Sequence, residues 1–225
     1  MTKLYSRAPK RVTLFAGHYG SGKTTAAVNY ALWLKAQGYD TAIADLDIVN
    51  PYFRTRDSMA ELNAAGVRLI ASPFAGTNVD APALPGEAYA VVENKALHAV
   101  IDVGGDDRGA LALGRYVPYL KEENDYDFLC VINRFRPLTQ TAADTAEVLR
   151  EIETACKLSF TGICACSNLG DMTKAEDILA SQRYTQEVAE TMGLPIVMTC
   201  VQEHLISALD GMENVFPIRH RTHFI

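Results

Sequence analysis

The chain has 225 residues, 48% of them hydrophobic and 21% charged, with a formal net charge of -6. This length suits one α/β domain with a sizeable core, the composition excludes a disordered or fibrous chain, and the acidic balance excludes general affinity for nucleic acid. Residues 1–10 lack the apolar core of a secretory leader, and no later run reaches the roughly 18 apolar residues of a spanning helix, so a cytoplasmic protein is expected.

Residues 12–16 form a short apolar run, residues 23–37 carry a helical pattern and residues 41–45 form a second apolar run, which predicts a βαβ opening. Further buried strands are expected at 67–71, 99–103, 128–133, 161–166 and 196–201, with the clearest helices at 139–156 and 174–192. Continuous apolar strands separated by helices imply a mainly parallel sheet covered on both faces, a doubly wound α/β fold. No repeat or shift of composition divides the chain, so residues 1–225 are expected to form a single domain. Residues 72–86, marked by Pro73, Pro82 and Pro85, read as a long loop, either a functional flap or an insertion. No regular element is legible after Glu203. The five cysteines, Cys130, Cys156, Cys164, Cys166 and Cys200, sit among apolar neighbours; on a strand Cys164 and Cys166 share one face and read as packed thiols more readily than as a ligand pair.

Gly17-His18-Tyr19-Gly20-Ser21-Gly22-Lys23-Thr24 follows the first strand and opens the first helix, the setting in which this pattern cradles phosphates. Gly17, Gly20 and Gly22 let the chain curl so that N–H groups, Ser21 among them, converge on phosphate oxygens, and the helix N-terminus adds partial positive charge. Lys23 supplies a full charge to the β- and γ-phosphates, and Thr24 offers a hydroxyl to Mg²⁺.

Asp45 and Asp47 fall where the second strand ends, on the edge where open α/β sheets bind ligands. Asp45 suits the Mg²⁺ shell and Asp47 the orientation of an attacking water; strand-end capping is the competing reading for each. Residues 99–102 form an apolar run ending in Asp102, a carboxylate placed to reach the metal. Gly104-Gly105 and the charged Asp106-Asp107-Arg108 after it suit a switch loop, though a solvated loop fits equally well.

Together these residues resemble the MinD/ParA/nitrogenase-iron-protein group of P-loop ATPases, the CobQ/CobB/MinD/ParA nucleotide-binding domains. The resemblance implies ATP and Mg²⁺ as cofactors, Lys23, Thr24 and Thr25 on the nucleotide, Asp47 in water activation, Asp102 in the metal shell, and a homodimer closing across the nucleotide. It also implies adenine recognition by an Asn after a late strand, with Asn168 the best match and Asn133 the second; a turn-forming Asn is the alternative for each. His18 stands at the position of the group's additional lysine and offers an imidazole in place of a permanent cation.

Guanine-selective relatives of the fold carry Asn-Lys-x-Asp. Here Asn133 is followed by Arg134-Phe135-Arg136 and Asn168 by Leu169-Gly170-Asp171; neither run has the Lys and only the second has an Asp, Asp171, at the matching spacing, so adenine is the expected base with Asp171 the alternative guanine reader. Two functions follow: a nucleotide-switched ATPase acting on a protein partner or in dimerisation, and an ATP-dependent small-molecule synthetase or kinase of the dethiobiotin synthetase type, with residues 72–86 closing over an acceptor. A metal-centre maturation ATPase is a third reading, on the cysteine pair. The tail at 217–225 is too short for an amphipathic membrane anchor.

Overall fold

The structure is a computed structural model that describes residues 1–46, 55–71, 86–104 and 113–219. Among these residues eight strands form one sheet: β1 Val12–Ala16, β2 Thr41–Asp45, β3 Arg68–Ala71, β4 His98–Asp102, β5 Tyr126–Ile132, β6 Gly162–Ala165, β7 Ile196–Gln202 and β8 Val215–Ile218. Six α-helices accompany them: α1 Lys23–Ala36, α2 Thr55–Ala65, α3 Gly86–Glu93, α4 Val117–Glu123, α5 Ala142–Cys156 and α6 Ala175–Met192. The strand order is β3-β2-β4-β1-β5-β6-β7-β8 and all seven neighbouring pairs are parallel. From β1 the chain winds out to β3, returns to β4 and then crosses to β5 on the other side. That reversal opens a crevice at the carboxyl end of β1, where doubly wound sheets hold ligands.

The period-2 alternation of strands divides the core in two. One face sends Val12, Leu14, Ile101, Phe128, Cys130 and Ile132 against a layer that includes Leu120, Leu149 and Val188. The other sends Phe15, Ile43, Val100, Leu129, Val131, Cys164 and Cys200 against Ala27, Tyr30, Ala31 and Leu34 of α1. All five cysteines are free and buried. Cys164 and Cys166 lie in the same apolar layer, as the shared-face reading requires, and the sulfurs of Cys164 and Cys200 lie 3.5 Å apart across β6 and β7.

The strands read from sequence fall within one or two residues of those observed, with two exceptions elsewhere in the chain. The helix expected at 139–156 is divided: Pro137–Thr139 is a 3-10 turn, and Thr141 caps α5 by accepting from the Asp144 N–H, because a threonine hydroxyl satisfies a first-turn donor better outside a helix than within it. After Glu203, where no regular element was legible, β8 completes the sheet. Pro217 hid this strand, since proline lacks the donor that a central strand needs. Lys3 and Tyr5 explain its tolerance. Tyr5 N donates to Val215 O and Val215 N to Lys3 O, so this side of β8 faces the N-terminal segment, and the Pro217 nitrogen, two residues on, lies on the same outer side.

At the amino end of the central strand β1, Arg11 is buried. Its guanidinium donates to Glu123 and to the carbonyls of Val91, Val92, Asn94 and Leu97, which ties the end of α3 to α4. No helix among the described residues is long and apolar enough to cross a membrane. Residues 72–85, most of the predicted loop, lie outside the described residues.

Candidate nucleotide-binding site

The loop between β1 and α1 is shaped by close contacts that exclude side chains. A Cβ on Gly17, at φ 154°, would lie 2.3 Å from Val131 O of β5, and one on Gly22, at φ 101°, would lie 2.7 Å from Cys166 Sγ after β6. Both are positions that glycine alone occupies without strain. Gly22 is also the N-cap of α1, which has no side-chain cap and no acidic residue in its first turn. The first N–H groups of a 14-residue helix therefore face the loop without a carboxylate or hydroxyl from their own helix end. Ser21, 1% exposed, carries a buried hydroxyl oxygen with no hydrogen-bond partner among the described residues.

Lys23 is 3% exposed and donates from Nζ to His18 O at 3.2 Å, so the cation is folded back into the loop. Thr24 Oγ1 donates to Asp102 Oδ2 at 2.6 Å. Asp102 and Asp45 are both buried and are register partners at the adjacent ends of β4 and β2. The sheet thus places Thr24, Asp102 and Asp45 side by side at the start of α1, with Lys23 the residue before Thr24. Thr25 is the next residue of α1 and half-buried; its carbonyl accepts from Asn29 Nδ2 at 2.8 Å. Asp47, Gly105 and residues 106–108 lie outside the described residues.

A hydroxyl bonded to a carboxylate, with a second carboxylate on the neighbouring strand, is a set of hard oxygen donors that fits Mg²⁺. Among the described residues no group of three or more His, Cys, Asp or Glu is placed to hold a metal by itself.

Asn133 is fully buried and its amide is engaged within the protein. Nδ2 donates to Asn168 O at 3.2 Å, and Oδ1 accepts from Phe135 N at 3.0 Å and Asn168 N at 3.3 Å. It clamps the loop after β5 to the loop after β6. Asn168 is half-buried: Nδ2 donates to Cys166 O at 2.7 Å and Oδ1 accepts from Gly170 N at 3.1 Å. Its Nδ2 also stands 3.7 Å from the place of a Cβ on Gly22, so Asn168 flanks the phosphate loop while Asn133 braces it.

One neighbour of the loop escaped the sequence reading. Arg136 Nε donates to Gly20 O at 2.7 Å. The available signal was its place just beyond a strand, on the ligand-binding edge. Cys166, read as a packed thiol, is also the floor under Gly22.

No family model matches the chain, and no curated protein matches it either. Solved structures do. The chain is similar to the cell division protein FtsY of Thermotoga maritima, with 20% identity, 98% of this chain and 68% of that one covered, and a TM-score of 0.59. It is similar to chloroplast FtsY of Physcomitrella patens, with 18% identity over 92% and 67% of the two chains and a TM-score of 0.59. The signal recognition particle 54 kDa protein of Aeropyrum pernix K1, solved in complex with GDP, matches with 17% identity over 86% and 41%, at a TM-score of 0.52. The fold is the P-loop NTPase fold. The chain spans 41% of the A. pernix protein and 65% of FtsY from Mycoplasma mycoides. These neighbours stand in a different branch of the fold from the MinD/ParA group, so they support the fold and not that branch.

Proposed function

We propose that the protein is an Mg-dependent ATPase that works as a nucleotide switch toward a protein partner or a second copy of itself. The observation that carries this reading is the Thr24–Asp102 hydrogen bond at 2.6 Å beside the buried Lys23: a hydroxyl, a carboxylate and an ammonium converge at the N-terminus of an uncapped helix. A bound divalent cation supplies charge compensation for the β- and γ-phosphates. The loop N–H groups and the start of α1 bind and orient the polyphosphate. Lys23 exchanges the His18 carbonyl for phosphate oxygens. Asp102 accepts from the Thr24 hydroxyl; Thr24, Asp102 and Asp45 would hold the cation, and Asp47 would orient the attacking water.

ATP is favoured over GTP because a cationic Arg134-Phe135-Arg136 follows Asn133 where guanine-selective relatives carry a carboxylate. The GDP of the A. pernix and Elizabethkingia anophelis structures makes GTP the competitor to test. The synthetase reading drew on residues 72–86, and no feature of the described residues favours it.

Calorimetric titration of MgATP into wild type and Lys23→Ala, with phosphate release measured alongside, tests the assignment. Wild type is expected to bind and hydrolyse slowly, and the variant to lose at least about tenfold in affinity, since a charge-assisted bond to phosphate is removed. Unchanged binding in a variant with wild-type circular dichroism would overturn it.

A further inference from the structure

We propose that the Tyr184 hydroxyl is a positioning group for the phosphate loop and acts on it through Thr139 and Arg136; the inference rests on the nucleotide-binding reading above. The route begins at the loop itself. Arg136 Nε donates to Gly20 O at 2.7 Å, and its Cδ, Nε and Cζ lie 3.3–3.6 Å from where a Cβ on Gly20 would stand. The side chain is therefore a strut laid from the turn after β5 onto the loop backbone. Such a strut is only as firm as the turn that carries it.

That turn, residues 133–139, closes on one carbonyl. Asn133 O accepts from Arg136 N at 3.3 Å and from Thr139 Oγ1 at 2.7 Å, and Arg136 O accepts from Thr139 N at 3.0 Å. Thr139 thus sets Arg136 directly through its N–H and indirectly through the shared carbonyl. Pro137 fixes φ between them, and the Asn133 amide pins the turn to the loop after β6.

Tyr184 reaches this turn from α6. Its hydroxyl lies 2.8 Å from Thr145 Oγ1 of α5, and the Thr139 hydroxyl is the second side-chain partner of the same phenol. Because the Thr139 proton is spent on Asn133 O, its oxygen can only accept. One direction of donation therefore serves the whole chain: Thr145 to Tyr184, Tyr184 to Thr139, and Thr139 to Asn133 O. Thr145 divides its proton between the phenol and Thr141 O at 2.7 Å. Thr145, Tyr184, Thr139 and Asn133 are all buried, where an unmade hydrogen bond is costly and aligned bonds strengthen one another. Arg134 adds a second tie one helical turn away, donating from Nη1 to Ala180 O of α6 at 2.7 Å. The packing of α5 on α6 is thereby connected to the backbone of the phosphate loop.

The test is calorimetric titration of MgATP into wild type, Tyr184→Phe, Thr139→Val, Thr139→Ser, Arg136→Ala, and Tyr184→Phe combined with Arg136→Ala, with urea denaturation of each. Tyr184→Phe and Thr139→Val are expected to weaken MgATP binding by about fivefold, the scale of one buried hydrogen bond. Thr139→Ser keeps the hydroxyl and should stay within about twofold of wild type. In the Arg136→Ala background, Tyr184→Phe should cost no more than about twofold, because changes along one route are not additive. A loss of stability in Tyr184→Phe with unchanged affinity would make the phenol a packing group and overturn the proposal. An equal loss of affinity with and without Arg136 would overturn it as well. Should Tyr184→Phe not fold, the Thr139 pair carries the test: a loss in the Val variant that Ser restores supports the route, and equal affinities in the two overturn it. Failure of wild type to bind MgATP would sink the nucleotide-binding reading itself, a result distinct from unchanged affinity in a variant.

Discussion

At the phosphate loop, Lys23 rests on a carbonyl of its own loop and Thr24 on the carboxylate of a strand 78 residues away. Under the proposed function a phosphate oxygen would take the place of the His18 carbonyl, while the Thr24–Asp102 bond would be kept. Lys23, Thr24, Asp45 and Asp102 were legible in the sequence because the loop pattern and the strand ends are local: each is declared by its immediate neighbours. Arg136 was not, because its partner is a carbonyl 116 residues away, and a backbone oxygen leaves no trace in sequence. Asp47, two residues beyond Asp45, carries the prediction that belongs to this scale. Asp47→Asn is expected to keep MgATP affinity within about threefold and to lose roughly 10²-fold in hydrolysis, since a carboxamide keeps the shape but not the charge that orients water. Single-turnover phosphate release with parallel titration checks it, and equal losses in both would assign Asp47 to the metal shell.

Elements whose burial is uniform were read well. β1 and β2 are five-residue strands buried at every position, and an uninterrupted apolar run between a helix and a turn has few alternatives. α4, seven residues long with a proline in its first turn, is too short to show a period, and β8 is masked by Pro217. Arg11 is equally unreadable, since nothing local announces that a charged residue just before β1 is 4% exposed. It holds four backbone carbonyls and Glu123 together. The bond to Arg11 is the main cause that lowers the Glu123 carboxyl below its ordinary value, with Lys95 assisting. Arg11→Ala is therefore expected to destabilise the fold by roughly 3–5 kcal/mol, the cost of removing one partner from a buried pair. Urea denaturation measures it; a loss below about 1 kcal/mol would show that Lys95 and water compensate.

Across the whole molecule, burial sets the response to alkali. Burial pushes the Cys156 thiol up from 9.0 to about 12, and burial is likewise the leading cause that raises Tyr116 and Tyr184 from 10.0 to about 12. Each folded value lies above the unfolded one, so the stability these groups contribute is complete below about pH 9 and is lost as pH rises toward 12. The slope is about 1.4 kcal/mol per pH unit for each group above its unfolded value. Melting temperatures followed by circular dichroism from about pH 7.5 to 10.5 should hold up to about pH 9 and then fall; a flat profile through pH 10.5 would contradict the burial of these groups.

The pairing of β8 with residues 3–5 bears on how the chain reaches this state. Thr2 Oγ1 donates to Leu209 O, 207 residues away, and Tyr5 packs edge-on against Tyr30, Trp33 and Phe216. The outermost strand is thus closed by a segment more than 200 residues earlier in the chain. Contacts of such separation pay their loop-closure entropy last. Until that closure forms, the outer side of β8 and the apolar face of Tyr5 are surfaces open to wrong partners, so shielding them depends on a contact of long sequence separation.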